Sequence, residues 1–400
     1  MMLKDALKNI IIAQKASLKY FNEGIPRDKK ITKNSDQAII ISGIRRCGKS
    51  TLLRQLMPEK FHYMTFEDPQ LSSFEISDFE NLQAAFEEIS PNTKSYFFDE
   101  IQNVNGWERI VRTLLDRNNK VFITGSNASL LSRELGTKLT GRHLRYELYP
   151  FSYNEYLRYF SKKASAESLK DYLALGGFPQ YLKEKNPSLL KELLNDIINR
   201  DIIIRYNIKN TNTLKDLATY LISTSSALAS YNNLAKLFKI KSVNTVKAYL
   251  GYFEDAYLIF SVPLYSYSIK KQLVNPRKIY CIDTGLIINN GMHFSENSGK
   301  ILENSIFIEL KRLGKEIYYH KDKSECDFLI KEGTKIVQAI QVCYLVDNNN
   351  KDREIQGLME AMKEYKLDKG IIITLDQEDK LIVENKEIRL IPAWKWMMNE

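Results

Sequence analysis

Residues 43–50 read Gly-Ile-Arg-Arg-Cys-Gly-Lys-Ser. Two glycines with four residues between them, followed by Lys-Ser, make a P-loop pattern. The run before it, Ala38 to Ser42, is apolar and β-branched, and Thr51 to Leu56 after it reads as a helix. Strand, glycine turn and helix are the context such a loop requires. Backbone N–H groups of the turn and the positive end of the helix attract polyphosphate. Gly43 and Gly48 let the backbone come close to it. Lys49 is expected to reach the β- and γ-phosphates of ATP, and the Ser50 hydroxyl to hold Mg2+. Ile44, Arg45, Arg46, Cys47 and Thr51 complete the expected cradle.

A second signal follows at Ser95-Tyr96-Phe97-Phe98-Asp99-Glu100, an aromatic strand ending in two acids. Asp99 is placed to coordinate Mg2+ through its water shell. Glu100 is placed to orient and deprotonate an attacking water. Lys120 to Asn127 reads as another strand, and its polar end, Ser126 and Asn127, suits either a γ-phosphate sensor or a plain helix cap. Gly141-Arg142 opens a fifth strand expected from Leu144 to Phe151. The Arg142 guanidinium would stabilise charge on the transferring phosphoryl group, in cis or from a neighbouring subunit, with Arg133 and Arg145 as rivals. Strands interleaved with helices predict a parallel α/β sheet with helices on both faces.

The stretches GIRRCGKST, FFDEIQ and TGSNASLLSRELGTKLTGR, followed by ELYPFSYNEYL, resemble a prokaryotic group of AAA+-like ATPases that carry an uncharacterised C-terminal domain. The resemblance covers most of the chain. It implies an AAA-type ATPase with ATP and Mg2+ as ligands and a helical lid after the core. It also implies a ring or open ring of identical subunits, such as a hexamer.

The charge is unevenly spread. Of a net +9, a surplus of +8 lies between Arg205 and Lys278, where 11 Lys and Arg face three acids. That segment reads as three helices followed by a strand hairpin, the pattern of a winged helix. Its recognition helix is expected at 243–254, with Ser242 as N-cap. Lys239, Lys241, Asn244 and Lys247 are its candidate DNA contacts, and duplex or branched DNA is the expected partner. Use of the same surface to bind a protein is the alternative.

Residues 279–400 alternate strands and helices and resemble the restriction-endonuclease-like fold. The positions matching its catalytic acids and lysine are Glu303, Asp327, Gln341 and Cys343. Gln341 offers one neutral oxygen where a carboxylate would bind metal, and Cys343 supplies no ammonium, so the expected domain is catalytically silent. Lys321, Lys323 and Lys335 are the candidate replacements, and with one of them in place an ATP-dependent nuclease with an altered site is the alternative.

The expected divisions are therefore 1–36, an N-terminal helix and connector; 37–158, the ATPase core; 159–206, a helical lid or connector; 207–278, the winged helix; and 279–400, the nuclease-like domain. Four scattered cysteines form no C-x-x-C pair and fit a reducing cytosol. No apolar run approaches membrane-spanning length.

Overall fold

The structure is a computed structural model that describes residues 1–20, 23–127, 141–291 and 298–398. The chain divides into two compact units, Met1–Tyr149 and Pro150–Glu400.

The first unit is built on five parallel strands: β1 (Ala38–Ser42), β2 (His62–Thr65), β3 (Ser95–Asp99), β4 (Lys120–Gly125) and β5 (His143–Glu147). Their order is β2-β3-β4-β1-β5. The expected parallel sheet is present. The P-loop strand β1 is interior and every residue in it is buried, which explains why its sequence is a continuous apolar run without alternation. Phe97 of β3 stacks on Phe122 of β4 with ring centroids 4.6 Å apart. The helix Trp107–Asp116 turns Trp107, Ile110, Val111 and Leu114 inward at helical spacing. The N-terminal helix Lys4–Ser17 buries Leu7, Ile10 and Ile11 in the same core.

His62 of β2 is buried between the rings of Phe86 and Tyr96. Burial holds its imidazole down at about 4. Above pH 6.5 the folded and unfolded forms are both neutral and nothing is lost. As pH falls toward 4, the unfolded chain takes up a proton that the folded one refuses. Stability then declines, by on the order of 3 kcal/mol over the whole interval. His62→Phe should flatten this decline. Urea midpoints at pH 7 and pH 5 test it, and an equal drop in variant and wild type would refute it.

The second unit begins with helices Tyr153–Phe160, Ala166–Leu175, Pro179–Glu184 and Ser188–Asp196. The first is held by a capping box between Ser152 and Glu155. These helices, expected as a lid on the core, belong to the second unit. The Gly177 N–H donates to Asp283 at 2.7 Å, and the same carboxylate caps the helix Thr284–Asn290 through Gly285.

Next come the helix Thr211–Ser223, β6 (Ala227–Ala229), the helices Tyr231–Leu237 and Val243–Asp255, and β7 (Ile259–Val262). The helix Ile269–Val274 and β8 (Arg277–Cys281) complete the group. The three strands form an antiparallel sheet in the order β6-β8-β7. Ser242 caps the third helix by accepting from the Asn244 N–H at 3.2 Å. The sequence pattern missed β6, whose Ala-Leu-Ala has no β-branched residue, and the short helix between β7 and β8. The expected boundary at 278 cuts through β8.

The tail carries β9 (Glu316–Lys321), β10 (Glu325–Glu332), β11 (Lys335–Val342), β12 (Lys369–Thr374), β13 (Asp379–Val383) and β14 (Lys386–Pro392). They form one mixed sheet in the order β13-β14-β12-β11-β10-β9. The helix Lys351–Glu364 packs on β10, β11 and β12. The helix Ser298–Arg312 is buried from Leu302 to Leu310. Among the described residues, no helix is long and apolar enough to cross a membrane.

Candidate functional site

β1 delivers the loop 43–48 to the carboxyl end of the parallel sheet, where ligands of open α/β folds bind. A Cβ on Gly43 would lie 2.1 Å from the Leu148 carbonyl oxygen. Gly48 has φ 101°, a conformation open to glycine. These two positions fix the loop's path. Ile44 and Cys47 are buried, and burial pushes the Cys47 thiol up. Arg45 pairs with Glu67 at 2.9 Å, while Arg46 is exposed at φ 63°. Thr51 lies on the helix Lys49–Gln55, near Gly24.

Lys49 is 4% exposed. Its ammonium donates to the Ile44 carbonyl at 3.1 Å and stands 3.5 Å from the Glu100 carboxylate. Asp99 is buried at the end of β3, where Thr124 Oγ1 donates to it. Thr124 Oγ1 also accepts from the Glu100 N–H at 3.0 Å. One hydroxyl of β4 thus sets both acids. Burial and the neighbouring Glu100 raise Asp99, against hydrogen bonds from Thr124 and Ser50. Burial also pushes Glu100 up, but Lys49, Gln102 and Arg45 outweigh it and leave the carboxyl below its usual range. Glu100 takes the left-handed conformation at φ 51°, uncommon outside glycine. The Gln102 amide bonds to Glu100 and reaches Ser126 Oγ at 3.4 Å. Ser126 and Asn127 are both buried just past β4.

Arg142 lies away from its own P-loop. Its carbonyl accepts from the Ala38 N–H, so it lies where β1 and β5 begin, and its side chain pairs with Asp116. The P-loop lies at the opposite end of β1, roughly 13 Å away at the usual strand rise. A cis role for Arg142 therefore does not fit. Arg145 is closer: it donates to Ser42 Oγ at 3.1 Å and pairs with Glu147. Arg133 lies outside the described residues.

The sequence pattern also missed Arg27. Its guanidinium donates to the carbonyls of Cys47 at 2.9 Å and Tyr149 at 2.7 Å, bracing the loop. Nothing in the connector's composition pointed to it. Thr124 had a weaker signal, a small polar residue at a strand end one register step from the P-loop strand.

In the second unit, Lys239, Lys241, Asn244 and Lys247 are exposed at the start and along the outer face of the helix Val243–Asp255. Lys247 lies over the Tyr231 ring, 5.4 Å from its centroid.

Glu303, Asp327 and Gln341 do converge. The Gln341 carbonyl accepts from the Asp327 N–H at 3.1 Å and its amide donates to Glu354 at 2.7 Å. Cys343 lies beyond the end of β11 and joins an apolar cluster with Leu358 and Met359. Burial pushes its thiol up to about 11. The ammonium comes from none of the candidate replacements. It comes from Lys278 on β8, 2% exposed, with Nζ 3.0 Å from Glu303, 2.8 Å from Glu325 and 2.7 Å from Asp327. The charge pattern of the sequence places Lys278 on the basic surface, whereas it is interior. Lys321 and Lys323 line a cavity of about 530 Å³ beside the acids, while Lys335 is exposed at the start of β11.

Residues 35–157 match the family described as an AAA domain, and residues 166–292 match a domain of unknown function (DUF8612). Uncharacterized protein MJ1544 of Methanocaldococcus jannaschii is 37% identical over 98% of this chain and 94% of that protein. An uncharacterized protein of Haemophilus influenzae is 30% identical over 90% of this chain and 95% of that one. Among solved structures, replication initiator DnaA bound to AMPPCP and single-stranded DNA is 18% identical, covers 62% of this chain and 91% of its own, and has a TM-score of 0.30. C. elegans PCH-2 is 17% identical over 62% of this chain and 68% of its own, with a TM-score of 0.22.

Proposed function

The chain belongs to the family of the Methanocaldococcus and Haemophilus proteins, and from its AAA domain and site geometry we propose that it is an ATP-hydrolysing, DNA-binding switch or remodeller. The observation that carries the ATPase half is the convergence of Lys49, Ser50, Asp99 and Glu100 beside one glycine turn. Lys49 would draw in the β- and γ-phosphates. Glu100, held below its usual range and so ionised at neutral pH, would accept a proton from the attacking water. Ser50 and Asp99 are hard oxygen donors in contact with each other and suit Mg2+, which when bound supplies charge neutralisation at the phosphates. Gln102, Ser126 and Asn127 would keep the Glu100 carboxylate and the γ-phosphate in register. Arg142, remote from its own P-loop, suits a role in trans within a ring.

The DNA half rests on the order helix, strand, helix, helix, strand, helix, strand in residues 211–281, which supports a winged-helix reading with a short helix inserted between its last two strands, and on the exposed Lys239 and Lys241 before its third helix and Lys247 on it. A remodeller that couples the two should turn over ATP several-fold faster with duplex or branched DNA present. Phosphate release with and without DNA tests this. A rate indifferent to duplex, branched and single-stranded DNA would sink the DNA reading and favour a signalling ATPase with a protein partner.

A further inference from the structure

Lys278 reaches the tail's acids from β8, the middle strand of its sheet, paired on both edges. Asn304 pins the same strand: its Nδ2 donates to the Cys281 carbonyl at 3.0 Å and its Oδ1 accepts from the Cys281 N–H at 2.8 Å. A strand so held does not withdraw, and the ammonium is a fixture.

A lysine has three N–H donors. Here three carboxylate oxygens take them, on Glu303, Glu325 and Asp327. None is left to position a water or to meet a phosphate, which separates this lysine from a catalytic one. The charge does not balance, since one ammonium faces three acids. Part of the excess is relieved at Glu303, which also accepts from the Tyr280 hydroxyl at 2.7 Å and is raised to about 7 by burial and by Asp327. Three hard oxygen donors with surplus negative charge, open to a cavity of about 530 Å³, suit a doubly charged ion better than a singly charged one. As it stands, no group of three acidic, His or Cys side chains among the described residues could hold a metal. The ammonium keeps the oxygens at 2.7–3.0 Å, whereas a small divalent ion would draw them in to about 2.1 Å.

We propose that Lys278 is a built-in cation standing where a divalent metal would sit, so that the tail is silent through occupancy, and that removing the ammonium converts Glu303, Glu325 and Asp327 into a divalent-cation site. This rests on the reading of the tail as a silent nuclease-like scaffold and gives it a cause.

The test uses the full-length protein without nucleotide. Wild type, Lys278→Met and the triple variant Lys278→Met/Glu303→Gln/Asp327→Asn are titrated with Mn2+, followed by electron paramagnetic resonance of the free ion and by thermal melting. The triple variant keeps the shapes and removes the charges of Lys278, Glu303 and Asp327, leaving Glu325 as a lone carboxylate. Lys278→Met should bind one more Mn2+ per chain than wild type, at least tenfold more tightly than any site in the triple variant, and its melting temperature should rise by several degrees with Mn2+. Wild type and the triple variant should not respond. A folded Lys278→Met that gains no Mn2+, or one that fails to fold with and without Mn2+, overturns the proposal. Wild-type cleavage of labelled DNA with Mn2+ that Asp327→Ala abolishes would instead overturn the underlying reading of a silent tail.

Discussion

Glu100→Gln leaves ATP binding intact and cuts turnover by about 10²–10⁴-fold, the usual contribution of a positioned general base. The side chain keeps its size and its place beside Gln102, but it no longer takes a proton. Binding should hold or tighten. In the wild type Lys49 stands 3.5 Å from Glu100, so the carboxylate competes with phosphate for the same ammonium. Lys49→Ala should do the reverse of sparing binding, because the phosphates lose the buried charge that meets them. A fluorescent nucleotide reports affinity and phosphate release reports turnover. Wild-type turnover in Glu100→Gln would remove the residue from the base role, and unchanged affinity in Lys49→Ala would remove the loop from the nucleotide site.

The second large effect is on duplex affinity. Lysines at phosphates release condensed counterions, so affinity should fall steeply with salt. Changing Lys239, Lys241 and Lys247 together to Ala should flatten the log–log salt slope by up to about three units, at about 0.9 for each phosphate no longer neutralised. ATP affinity should persist. Because Lys278 is interior, the surface available to DNA is one charge poorer than the sequence implies. Sequence preference should be weak, since phosphate contacts position a protein without reading bases. Equal affinities and slopes in wild type and triple variant would mean that these lysines do not meet DNA.

How much of this could be read from the sequence differs from residue to residue. The P-loop and Asp99-Glu100 were legible because their information is local: a few residues carry both the strand pattern and the chemistry. Thr124 was not, because a threonine in a strand is an ordinary β-former until the register shows it between two acids. Arg27 acts through backbone carbonyls 20 and 122 residues away, contacts that leave no spacing rule. The place of Arg142 follows from parallelism, since every strand start lies opposite the P-loop, yet which arginine opened β5 said nothing about a neighbour. Lys278 misled because lysine is usually solvated.

Lys278 also imposes an order on synthesis. Two of its acids, Glu303 and Asp327, emerge 25 and 49 residues after it. A lysine without its partners is costly to bury, so the sheet β6-β8-β7 cannot close while β8 waits on the ribosome. At about 5–20 residues per second the wait lasts roughly 2–10 s. Through that interval the middle strand of this sheet stays open, and its closure is set by the arrival of β10. The three-stranded sheet is therefore completed only once the tail has been made.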